Sequence, residues 1–128
     1  MSWQTLLAIG SGGFFGAICR AYFNGLVNEN FPHALPLGTL GVNIIGSFLL
    51  GLILASFAHF QGISPEVKSL ISTGFLGAFT TYSTFATETF LLFQGGSWSL
   101  GFANATLNVV GTIIAAGSGY KLINFFLG

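Results

Sequence analysis

Polar residues are scarce along this chain, and their positions define its elements. Four apolar stretches, Trp3 to about Leu26, Leu37 to about Phe60, one beginning at Pro65, and Trp98 to about Phe126, are separated by clusters of turn formers. The first cluster runs from Asn28 to Pro36 and holds Asn28, Glu29, Asn30, Pro32, His33 and Pro36; the others are Gln61 to Pro65 and Gln94-Gly95-Gly96-Ser97. Each stretch has about the 20 apolar residues that one membrane crossing needs. The pattern predicts an all-α membrane protein of four transmembrane helices in a single domain, 1–128. The first stretch lacks a positive start and a short apolar core, so it reads as a span rather than a secretion signal.

Within the spans the polar positions follow the helical period. Thr39, Asn43 and Ser47 recur at i, i+4 and i+8 on the second, and Asn104, Asn108 and Thr112 do the same on the fourth. A lone asparagine in hydrocarbon commonly bonds to a neighbouring helix. A row of them on one face also suits a path for a small polar species. Gly12 and Gly16 on the first span, and Gly111, Ala115 and Gly119 on the fourth, form flat strips on which another helix can approach closely.

The third span is the irregular one. Ser64-Pro65-Glu66 reads as its start, with Ser64 as N-cap, proline at the first position and an acid in the first turn. Further along, Gly74-Phe75-Leu76-Gly77-Ala78-Phe79-Thr80-Thr81 combines two glycines with stiff, hydroxyl-bearing threonines, and predicts a helix broken at mid-membrane. Backbone groups freed at that depth must be satisfied by protein, water or a bound ion. Beyond the break, Tyr82 and Phe85 share a face, Ser83 and Thr84 add hydroxyls, and Glu88 follows one turn after Thr84. Membrane aromatics commonly pack against lipid or protein; ring edges also carry partial positive charge that suits an anion. An acid in a span points instead to cation or proton traffic.

Composition agrees with the pattern and narrows the partners. The 128 residues are 52% hydrophobic and 5% charged with no net charge, and mean hydropathy is +0.81, against about 25% charged in soluble domains. Arg20, Lys68 and Lys121 are the only basic residues, too few to neutralise phosphates, which excludes nucleic acid. Cys19 stands alone and is assigned no role. Arg20 has two readings: its guanidinium snorkels to the headgroups, or it lines a wet entrance and attracts anions. Lys68 and Lys121 lie on one side and Arg20 nearer the other, a balance that hardly fixes orientation. Insertion in both directions, and an antiparallel homodimer about an axis in the membrane plane, follow as expectations. His33 and His59 lie in or beside loops, without a metal-ligand cluster or a nucleophile–base pair, so an enzyme is not expected.

Gly38-Thr39-Leu40 with Asn43, Thr73-Gly74-Phe75-Leu76-Gly77, and Thr80-Thr81-Tyr82-Ser83-Thr84-Phe85 with Glu88 resemble the Fluc (CrcB) fluoride channels over essentially the whole chain. The resemblance implies a dual-topology antiparallel dimer in the bacterial inner membrane, with two pores that let fluoride leave the cytoplasm passively. It implies a structural sodium ion held by the carbonyls of Gly77 and Thr80 of both subunits. It also implies an aromatic pair at Tyr82 and Phe85, a pore asparagine at Asn43, a polar track of Asn104, Asn108 and Thr112, and hydroxyls of Ser83 and Thr84 near Glu88. Tyr82 departs from the phenylalanine usual at that position in the family. Two further readings fit less well. A small dual-topology proton-coupled multidrug exporter relies on an acid in the first helix, and the first stretch, Trp3 to about Leu26, holds none; a non-transporting subunit leaves both polar stripes unexplained.

Overall fold

The computed structural model describes residues 1–128, and they form helices joined by short connections. Helix α1 is Trp3–Asn30, α2 is Leu37–His59 and α6 is Trp98–Leu127; these three are each long and apolar enough to cross a membrane. Between α2 and α6 lies a compound third span. It comprises α3 (Pro65–Ser69), a π-helical stretch (Leu70–Leu76), α4 (Gly77–Phe79), two extended residues, and α5 (Tyr82–Gln94).

Small residues set the packing. A methyl group added at Gly12 or Gly16 would overlap the backbone carbonyl of Leu70 or Phe75, so α1 lies directly on the π-helical stretch. Gly51 faces the Ala116 carbonyl and Gly119 faces that of Phe48, which seats α2 and α6 equally close. Contacts then run from α6 to α2, from α2 to α1 and from α1 to the first half of the third span, while α5 rests on α6.

The interior inverts the pattern of a water-soluble core. Only Val42, Ala55, Leu76, Phe79 and Phe85 are buried apolar residues, whereas Thr39, Asn43, Thr89, Asn104 and Asn108 are buried and polar. Large apolar side chains such as Phe14, Ile113 and Phe125 face outward. That distribution suits lipid, where apolar groups gain nothing by hiding from the solvent and backbone and amide groups must find partners inside.

One expectation is corrected and another is located more finely. Helix α1 continues to Asn30, one turn beyond Leu26, because Asn30 donates to the Leu26 carbonyl at 2.8 Å and Asn28 accepts from the Gly38 N–H at 3.2 Å. The break falls inside the expected stretch, on its threonines rather than its glycines. The chain is helical through Gly74 and Gly77, and only Thr80 (φ −89°, ψ 161°) and Thr81 (φ −150°, ψ 115°) are extended. Gly74 instead serves contact, lying against Ile9 and Gly12 of α1. The start at Ser64 is as expected, its hydroxyl accepting from the Val67 N–H at 3.2 Å.

Candidate functional site

A break in a membrane helix leaves carbonyls and amides to be satisfied. At the end of α4, the Thr80 N–H and hydroxyl both donate to the Leu76 carbonyl, each at 3.1 Å. The Arg20 Nε donates to the Ala78 carbonyl at 2.9 Å, so the guanidinium caps the broken end. At the start of α5, the Thr81 hydroxyl accepts from the Thr84 N–H and donates to the Thr84 hydroxyl. That is an ordinary N-cap, and it explains why the helix restarts at Tyr82. No bond in this set is accepted by the carbonyl of Gly77 or Thr80, so both remain over as acceptors.

Asn43 of α2 holds the extended residues from the side. Its Oδ1 accepts from the Thr81 N–H at 2.8 Å and its Nδ2 donates to the Thr81 carbonyl at 3.1 Å, in the manner of a strand partner. The same Nδ2 donates to Asn108 Oδ1 at 3.0 Å. Asn108 donates to the Asn104 carbonyl and side-chain oxygens, and Asn104 donates to the Thr89 hydroxyl at 2.8 Å. Thr89 in turn donates to the Phe85 carbonyl at 2.8 Å. The two predicted stripes therefore meet.

Beside the break lies a partly open cavity of about 320 Å³, lined by Asn43, Ser47, Thr80, Thr81, Tyr82, Phe85, Asn108, Thr112 and two aliphatic residues. The structure brings Asn43, Asn108, Thr112, Tyr82 and Phe85 together here. The Tyr82 and Phe85 rings meet edge to face at 5.4 Å. Phe85 is buried and Tyr82 is 78% exposed, so one ring is fixed and the other projects from the rim. Thr112 donates to the Asn108 carbonyl.

Other sequence-predicted residues lie elsewhere. Asn104 is wholly buried behind the cavity, and Ser83 is exposed. Glu88 has a buried Oε1 without a hydrogen-bond partner; Thr39 approaches its carboxyl, and neither Ser83 nor Thr84 bonds to it. Sequence reasoning missed Thr89. Its spacing of i+4 from Phe85 was available, but its partner Asn104 comes from another span, which periodicity cannot supply.

Helices apolar without and polar within, around an interrupted span and a polar cavity, define a small multi-pass membrane protein. The family profile described as CrcB-like protein, Camphor Resistance (CrcB) matches residues 7–120, and the chain belongs to that family. It is 55% identical to a "Fluoride-specific ion channel FluC" of Sulfurimonas denitrificans, covering 99% of this chain and 98% of that one. A protein of the same name from Nautilia profundicola is 49% identical over 99% of both chains, and one from Campylobacter jejuni is 51% identical over 91% and 95%. The shared name is that of an ion channel and not of an enzyme.

Proposed function

We propose that this chain forms a fluoride channel that passes the ion passively out of the cytoplasm across the bacterial inner membrane. It works as a dual-topology antiparallel homodimer with two pores. The observation that carries the reading is the half-open cavity at the break, where the side chains of Asn43, Ser47, Asn108 and Thr112 gather beside an interrupted helix. An inverted second copy would close such a cavity, and it would do so twice by symmetry.

Fluoride is small and strongly hydrated, so its water must be replaced by donors that hold it loosely enough to let it go. Asn43 Nδ2 already donates to Thr81 and Asn108. An ion beside it takes a hydrogen from an existing bond, an exchange that keeps binding weak. Ser47 enters no hydrogen bond within the chain and offers a free hydroxyl on the same wall. The edges of Tyr82 and Phe85 add weak positive potential without a fixed charge. The Arg20 guanidinium, held at the broken end of α4, biases the neighbourhood toward anions.

The left-over carbonyls of Gly77 and Thr80 fit a hard cation, which takes oxygen ligands. These four carbonyls from two subunits would hold a structural sodium ion, which when bound supplies fixed positive charge beside the anion route. Fluoride efflux from liposomes carrying the pure protein, read with a fluoride electrode against a chloride control, tests the proposal. Fluoride release far above chloride is expected; release no faster than from protein-free vesicles refutes it.

A further inference from the structure

The hydrogen bonds from the break to Phe85 form a closed circuit. It leaves α5 at Thr81, crosses to Asn43 on α2, passes to Asn108 and Asn104 on α6, and returns to α5 at Thr89, whose hydroxyl donates to the Phe85 carbonyl. These five bonds donate in the same sense around it, and only the return bond from Asn43 Nδ2 to the Thr81 carbonyl runs the other way. Asn104 is 0% exposed and Thr89 is 9% exposed. The bonds on this limb are 2.8 Å, and neither side chain lines the cavity.

A threonine bonding back to its i−4 carbonyl is common in helices and by itself does little. Here the same hydroxyl also accepts from a buried amide on another helix, which converts a local bond into a tie between α5 and α6. Helix α5 begins only at Tyr82, so Asn43 at its cap would leave it free to turn about its axis. A second tie two turns along removes that freedom. Between the two ties sits Phe85.

We propose that Thr89 and Asn104 are positioning residues that lock the rotation and depth of α5, and thereby hold the Phe85 ring at the cavity. The consequence for ion flow rests on the channel reading; the consequence for the ring does not. Buried polar circuits of this kind act as a unit, and removing one member is felt by the rest.

The test compares Thr89→Val, which keeps shape and loses the hydroxyl, with Thr89→Ser, which keeps the hydroxyl. Each is made in the full chain carrying 4-fluorophenylalanine at position 85, and read by ¹⁹F resonance in detergent and by fluoride efflux in liposomes. Thr89→Val should shift or split the Phe85 resonance and slow efflux on the order of tenfold, as misplacement of a working group does, while Thr89→Ser restores both. Should Thr89→Val fail to assemble, Thr89→Ala replaces it with the same expectation. An unchanged resonance in the hydroxyl-free variant, or a Thr89→Ser variant as impaired as Thr89→Val, overturns the proposal. Absence of efflux from the wild type would reject the channel reading alone, with the resonance still deciding the lock.

Discussion

Asn43 pairs with both backbone polar groups of Thr81, 2.8 Å from its N–H and 3.1 Å from its carbonyl. A side-chain amide thus does for one extended residue what a neighbouring strand would do, and it allows a helix to be interrupted at membrane depth. The break is stable because α2 supplies the partner.

Asn43→Ala is therefore expected to destabilise the fold as well as the site. It removes both protein partners of the Thr81 N–H and carbonyl, at about 0.5–1.5 kcal/mol for each hydrogen bond lost. Thermal survival of the folded species in detergent should fall accordingly. Survival equal to wild type would contradict the clamp.

The glycines of α1 make a sharper prediction about packing. Gly16→Ala drives a methyl into the Phe75 carbonyl, a backbone atom that cannot swing aside, whereas nothing lies within 4 Å of a methyl at Gly117. Overpacking of this kind costs about 1–3 kcal/mol. Gly16→Ala should lower thermal survival in detergent and Gly117→Ala should not; equal behaviour would show that α1 does not rest on the π-helical stretch as described.

Arg20→Gln removes the cap on the Ala78 carbonyl and the nearby charge. If the guanidinium only reached for headgroups the substitution would matter little. The bond to Ala78 leads us to expect efflux slowed several-fold at low ionic strength, with Arg20→Lys recovering part of it. Undiminished efflux in Arg20→Gln would remove the arginine from the account.

Orientation yields a further prediction. Asn30→Lys with Gln94→Lys places two new positive charges at one end of the bundle and should drive insertion one way. A population of uniform orientation should lose efflux, and co-expression with a chain biased the other way by Gln4→Lys and Gln61→Lys should restore it. Full efflux from the uniform population would refute the antiparallel dimer.

Much of this was legible in the sequence. Apolar run length and turn clusters located the helices, and the i, i+4, i+8 stripes located Asn43 and Asn108, because in lipid a polar side chain must face inward. What escaped was tertiary. Gly74 and Gly77 read as helix breakers by propensity, yet close approach to α1 uses Gly74 inside a helix, and the break fell on Thr80 and Thr81, where capping and Asn43 made extension affordable. The π-helical widening of Leu70–Leu76 has no signature in residue type. Arg20 could be placed in the first span but not joined to Ala78, and Thr89 could not be joined to Asn104, since both bonds link residues whose proximity depends on the packed fold.

The most direct measurement of the central claim, that the cavity at the break is the route, is fluoride efflux from liposomes for the wild type beside Phe85→Ile and Asn43→Leu. The three should be compared at equal amounts of folded protein. The account predicts rapid, chloride-excluding release from the wild type and release slowed by at least about tenfold in each variant, because one loses the fixed ring and the other the amide and the clamp. Wild-type rates in both variants would contradict it.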